Sequence, residues 1–278
     1  MSAARGRPRT GGTTRFLLLA AVIGVILAFG FMLFRNLNAE IAPAPDFEGQ
    51  GTGNALLHVE QGDTLGQVGD RLYDVGAIAS TRAFVSAASG TSVEGIQPGF
   101  YQVQEEMSAD SAVKALSDPQ NRVGFLEIKP GGRLLDTVVV GGSTEKGIFT
   151  LIAEATCLRD LDAPENPATC RQPQEIVDAA VQADPAALGV PAWAINEVQA
   201  APDPVRRLEG LISPGVHNID PRTEPVEILR ELVSSSAASY DSTGLVASAE
   251  QIGLSPYQVV TSASLVEKEG TSEDFDKV

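Results

Sequence analysis

From Phe16 to Phe34 the chain runs for nineteen residues without a charge, and no other feature limits its fold so sharply. As a helix the run is about 28 Å long, close to the roughly 30 Å hydrocarbon core of a bilayer. In lipid every backbone N–H and C=O must be satisfied within the segment, which leaves a single run like this only the helix. Arg5, Arg7, Arg9 and Arg15 precede it and acids follow Arg35. That asymmetry predicts a cytoplasmic tail over 1–15, a transmembrane helix over 16–35, and the bulk of the chain outside the cell membrane, extracellular or periplasmic. A cleavable signal peptide would carry a shorter apolar region, and the Ala-x-Ala candidate, Ala42-Pro43-Ala44, is followed by Pro45. A retained anchor is therefore the expectation. Residues 36–54, rich in Pro, Gly and Ala, read as a linker.

Charge narrows the partners. The formal net charge is −16, and the first fifteen residues contribute four arginines and no acid, so the rest carries −20. Such a surface repels phosphate backbones and anionic headgroups, which excludes nucleic acid as a partner. Hydrophobic residues make up 43% of the chain, enough to bury real cores. Cys157 and Cys170 flank the acidic, proline-containing stretch LRDLDAPENPAT. They read as a disulfide closing that loop, which fits an oxidising exterior; two unpaired thiols are the alternative. His58 and His217 both lie far in sequence from the cysteines, so no zinc motif forms.

Beyond the linker the periodicity alternates between strand and helix, an α+β pattern. Residues 55–59 read as a strand, Gln61-Gly62 as a turn and Asp63-Thr64 as a helix cap, with Leu65, Val68 and Leu72 at helical spacing. A helix over 81–88 and a strand over 99–103 complete a βααβ-like unit, and 108–116 is one more capped helix within 55–120. A second unit starts at 121. Val123–Ile128 reads as one strand ending in the Lys129-Pro130-Gly131-Gly132 turn, which lacks the ending a phosphate loop needs. Helices are expected over 138–155, 173–183, 191–198 and 225–239, with Trp193 in the core and the last of them packing on the helix that starts at Ser255.

Ser255-Pro256 opens that helix with a capping side chain and a proline where a missing N–H costs nothing, and Gly270 closes it. Val259, Val260, Ala263 and Val266 recur at spacings of three and four, predicting a buried face. Thr261 to Ser264 are small and admit close approach. Glu267 stands three residues beyond Ser264 and four beyond Ala263. A carboxyl half-buried there would have its pKa raised, as a general acid needs. On residue chemistry alone a solvated or structural Glu remains the competing reading. No Gly-x-Ser-x-Gly elbow or nucleophile–base pair supports a protease or esterase, and no repeat is present.

The segment VVTSASLVEKEGTSEDFDKV resembles the signature of the MltG (YceG-like) endolytic murein transglycosylases: Ala-Ser, two hydrophobics, Glu-Lys-Glu, then Asp-Lys-Val. Leu208-Glu209-Gly210 and Pro214 match a second family segment, but Gly215-Val216-His217 stand where the family has Asp-Thr-Tyr. HVEQGDTLGQVGDRLYDVGAI resembles the start of a LysM module, a sugar-binding unit that precedes the catalytic domain in such proteins; here a spacer role is equally open. The resemblance implies a LysM-like subdomain (55–120) and an α+β catalytic domain (121–278) that continues past Val278, so that the chain as given is truncated. It implies Glu267 as the catalytic acid and base, with Glu209, Ser264 and Lys268 as substrate-binding candidates, Glu209 being as readily a turn stabiliser. No metal or cofactor is required. The implied partners are peptidoglycan glycan strands, the cell membrane and peptidoglycan synthases. The rival reading is a non-catalytic peptidoglycan-binding or cell-division scaffold protein.

Overall fold

In strand β1 (Thr52–Val59) Leu57 and Val59 are buried with exposed His58 between them, and that period of two decides how the first core is built. It pairs antiparallel with β2 (Gly99–Glu105), Leu57 facing Tyr101, and β2 pairs in turn with the short β3 (Arg122–Val123). In this computed structural model the described residues are 26–30, 32, 43–89, 96–139 and 141–269, the last three by backbone alone. Most of the predicted membrane-spanning run lies outside them, and no helix among them is long and apolar enough to cross a membrane. Residues 1–45 and 46–278 form separate units, and both hydrophobic cores belong to the second.

Between β1 and β2 come α1 (Leu65–Asp74) and α2 (Thr81–Ser89), and after β2 comes α3 (Ala109–Ser117). The expected caps are in place. Thr64 accepts from Gln67 N–H in a reciprocal capping box, and Ser108 accepts from Ser111 N–H. Leu57, Val59, Tyr101 and Val103 bury one sheet face against Val68, Leu72, Phe84 and Leu116. The Asp46 carboxylate accepts the Ala109 N–H at 2.9 Å, and β1 begins at Thr52 rather than Ala55. The fold thus takes up residues that read as linker.

Gly124 divides what the sequence suggested was one strand. Its φ is +68°, a conformation that favours glycine, and a Cβ there would sit 1.9 Å from the Ile219 carbonyl oxygen. Its N–H donates to Ala155 O and its C=O accepts from Ile219 N–H. Beyond it β4 (Phe125–Ile128) leaves the first sheet and pairs antiparallel with β7 (Gly215–Asn218), Leu126 opposite His217. His217 is therefore a strand residue.

The helix expected from Val138 does not begin there. Thr137–Val138 (β5) and Thr144–Glu145 (β6) form a small hairpin, and α4 covers only Ile148–Ala155. Then follow α5 (Pro173–Gln182), α6 (Ile195–Gln199), α7 (Pro225–Ser242), α8 (Leu245–Ile252) and α9 (Pro256–Glu269). Phe149, Ile152, Ile176, Leu188, Leu208, Leu229 and Leu232 form the second core, with Trp193 packed partly buried against it. Truncating a residue such as Phe149 to Ala would cost about 3–5 kcal/mol. Helix α7 packs chiefly on α5 and α8, and α8, not anticipated from sequence, carries α9.

Cys157 and Cys170 are joined in a disulfide, beside a two-residue antiparallel bridge between Leu158 and Thr169. The loop they close reaches the first sheet. Asp162 accepts from Gly53 N–H at 2.9 Å, Leu161 N–H donates to Asn54 Oδ1 at 3.0 Å, and Gln102 pairs with the Arg159 backbone. These bonds join the two cores.

Candidate functional site

A cleft of about 670 Å³ opens between the turn after β4, the segment around Glu209–Pro214, the α7–α8 junction and α9. Each wall has a local cause. The turn closes through a Gly132 N–H bond to Lys129 O. It is then fixed to α4, because the Arg133 and Leu134 carbonyls accept the N–H groups of Ile148 and Phe149, donors that a helix N-terminus leaves without intrahelical partners. Gly147 begins α4 with no capping side chain of its own. Asp136 serves instead, accepting from Gly147 N–H and from the Thr150 hydroxyl, both at 2.7 Å. The Gly147 N–H, then the Thr150 hydroxyl, hold its carboxyl below the usual carboxylate value.

The second wall is anchored from beneath. Leu208 and Leu211 are buried in the core. Arg207 donates to the Ala180 carbonyl at 2.6 Å and to the Ala183 carbonyl, at the C-terminal end of α5. Burial pushes this guanidinium down from its ordinary value. Gly210 adopts φ +78°, and its carbonyl accepts the Tyr240 hydroxyl at 2.9 Å. Ser213 N–H donates to the fully buried Ser236 hydroxyl at 2.8 Å, and Ser236 donates onward to Leu232 O. One His217 ring nitrogen lies 3.3 Å from Ser213 O. The Glu209–Pro214 segment is thereby held rigidly against α7.

Helix α9 forms the third wall with Val259, Val260, Ser264 and Leu265. Its start is the expected one: Ser255 Oγ accepts Gln258 N–H, and Gln258 Oε1 accepts Ser255 N–H. The expected burial is not found. None of its described side chains is fully buried, Ala263 and Ser264 are exposed, and Leu265 is 61% exposed. The reason is geometric: the face that looked like a core stripe borders an open cleft.

Of the residues singled out from sequence, Glu209 and Ser264 line this cleft together although 55 positions separate them. Glu209 is half-buried, and its N–H donates to Arg206 O at 2.9 Å. Glu267 and Lys268 belong to the last turn of α9, and their side chains lie outside the described residues. The disulfide is not part of the lining. Sequence reasoning did not single out Lys129, Arg133, Arg206 and Tyr240, which also line the cleft. Their only local signal was the Lys129–Gly132 turn, because tertiary folding alone brings them together. Among the described residues no group of three or more His, Cys, Asp or Glu side chains could hold a metal ion.

A family model described as the YceG-like family matches residues 57–278. Among solved structures, a 2.6 Å crystal structure of a YceG-like protein from Listeria monocytogenes is similar at 16% identity and a TM-score of 0.39, covering 79% of this chain. The chain spans 65% of that protein's length. A search of curated proteins finds no match.

Proposed function

This chain belongs to the YceG-like family, and on that footing we propose that it is a membrane-anchored endolytic lytic transglycosylase acting on peptidoglycan. It cleaves the bond between N-acetylmuramic acid and N-acetylglucosamine inside nascent glycan strands, leaves 1,6-anhydro ends and so limits strand elongation. The observation that carries the reading is the placement of α9. The helix that holds Glu267 in its last turn walls a cleft that also contains Glu209 and Ser264.

Ordinary glycosidases need two carboxylates, because water or an enzyme nucleophile must attack the anomeric carbon. Here the attacking group is the muramic acid's own C6 hydroxyl, so one carboxyl suffices. Glu267 protonates the departing glycosidic oxygen, and its carboxylate then takes the proton of the C6 hydroxyl as the anhydro ring closes. Glu209 and Ser264 accept and donate hydrogen bonds to sugar hydroxyls, and Lys268 helps to position the strand. The apolar run at 16–35 anchors the chain in the cell membrane with its catalytic part outside, where peptidoglycan synthases supply the strands. The LysM-like unit braces or extends the strand path.

The test uses uncrosslinked glycan strands, with anhydro-muropeptides read by mass spectrometry. Anhydro ends should form with the natural chain and fall by at least about 10²-fold in Glu267→Gln. Unchanged product from that variant would remove Glu267 from the mechanism. Capture of strands with no turnover by either protein would assign the chain to a cell-wall-binding scaffold instead.

A further inference from the structure

An acidic protein working on an anionic polymer has a physical problem. The formal charge is −16, and a glycan strand bearing peptide carboxylates, or lactyl carboxylates where no peptide is attached, is negative as well. At physiological salt, charges separated by more than about 8 Å are largely screened. What decides binding is therefore the charge inside the cleft. There the balance reverses: of the charged residues lining it, Lys129, Arg133 and Arg206 are cations and Glu209 is the one acid among the described residues. The chain as a whole has 36 acids against 20 lysines and arginines, so this local excess runs against the composition.

The cations are not equivalent. Arg206 is engaged by Asp203 at 3.4 Å. Among the described residues no carboxylate forms an ion pair with Lys129 or Arg133. Both are exposed, and both flank the Gly131-Gly132 turn. That turn is tied to the N-terminal end of α4 through the Arg133 and Leu134 carbonyls. The backbone that presents the two side chains is thus fixed, while their charges are left to the cleft.

We propose that Lys129 and Arg133 are specificity residues that recognise carboxylate substituents on the glycan strand, so that the cleft selects strands carrying free carboxylates over uncharged ones. A guanidinium and an ammonium suit this task, because carboxylates accept charge-assisted hydrogen bonds from both. The inference rests on the glycan-cleaving reading of the cleft, and it adds which strands that cleft prefers.

The experiment measures binding of the full chain to two fluorescently labelled preparations of the same uncrosslinked strands. One keeps its carboxylates; in the other they are converted to primary amides. At low salt the natural chain should bind the carboxylate strands about tenfold more tightly than the amidated ones. In the Lys129→Gln/Arg133→Gln double variant, with an unchanged melting temperature, that preference should fall to within twofold while affinity for amidated strands stays the same. No preference in the natural chain overturns the proposal, and so does a preference that survives in the variant. Failure of the natural chain to bind either preparation overturns the glycan reading itself and this inference with it.

Discussion

Gln102 and Arg159, 57 positions apart, form a two-bond pair in which one side chain imitates a strand. The Gln102 amide donates to the Arg159 carbonyl at 2.8 Å and accepts the Arg159 N–H at 2.9 Å. Gln102 is only 3% exposed. An amide buried this deeply is tolerated because both its functions are used. Gln102→Ala should leave the half-buried Arg159 N–H and C=O without these partners and destabilise the fold by about 1–2 kcal/mol. Urea denaturation followed by circular dichroism measures it. A change below about 0.5 kcal/mol would mean the pair contributes little to joining the cores.

The disulfide loop makes a second test of the same junction. Thirteen positions separate Cys157 from Cys170, and closing a loop of that size restricts the unfolded chain by about 3 kcal/mol. The Cys157→Ala/Cys170→Ala variant should lose roughly that much stability. It should also speed amide exchange at Gly53 and Leu161, whose N–H groups bond Asp162 and Asn54 across the junction, by more than the global loss of stability speeds Ile152 in the core. Equal exchange at those two amides would show that the loop holds its place without the cross-link.

Tyr240 links the cleft to α7 through the Gly210 carbonyl. Tyr240→Phe removes the donor, keeps the ring, and should cost about 1 kcal/mol of stability. If the Glu209–Pro214 segment binds strands, the glycan concentration for half-maximal rate should rise about three- to tenfold while the maximal rate stays within twofold. A fall in the maximal rate with the half-saturating concentration unchanged would place Tyr240 in the chemical step rather than in holding the wall.

Local chemistry made much of this fold legible, and non-local pairing hid the rest. Thr64, Ser108 and Ser255 were readable as caps because a cap is settled within four residues. The β1–α1–α2–β2 order followed from periodicity alone. Residues 138–145 read as helix, because two-residue strands are too short to show a period of two. The strand of His217 gave no local signal because it is completed only by Leu126, some ninety residues earlier. The stripe Val259, Val260, Ala263 is the instructive case: apolar spacing shows which residues share a face, not whether that face meets a core or a cleft. Glu209 and Ser264 were found through family resemblance, and no residue pattern would have brought them together.

Gly124 is the joint between the two sheets, and it tolerates no side chain. At φ +68° an alanine is already strained, and its Cβ would lie 1.9 Å from Ile219 O. The clash is with backbone, so no rotamer relieves it. Gly124→Ala should cost more than about 3 kcal/mol and lower the yield of folded protein. Gly244→Ala serves as a control: its φ is +75°, yet nothing lies within 4 Å of the added Cβ, so it should cost only about 1 kcal/mol. Similar losses at both positions would show that backbone conformation, not the contact with Ile219, explains the glycine.

Asp136 gives the fold a pH dependence whose sign can be worked out. The Gly147 N–H and the Thr150 hydroxyl favour its charged form, so its folded pKa lies below the ordinary carboxylate value. Stabilisation from such a group is fully present above about pH 4 and is lost as pH falls through the folded value. Asp136→Asn keeps an acceptor for Gly147 N–H but removes the charge that complements the α4 N-terminus. Because this carboxyl is exposed and screened by solvent, the variant should be less stable than the natural chain by no more than about 1 kcal/mol at pH 7. The gap should shrink toward zero by about pH 2, where the natural carboxyl is protonated as well. Urea denaturation of both proteins at several pH values gives the difference directly and cancels the titration of every other carboxylate. A gap that stays constant from pH 7 to pH 2 would mean that shape, not charge, makes Asp136 the cap of the helix on which the cleft's turn is mounted.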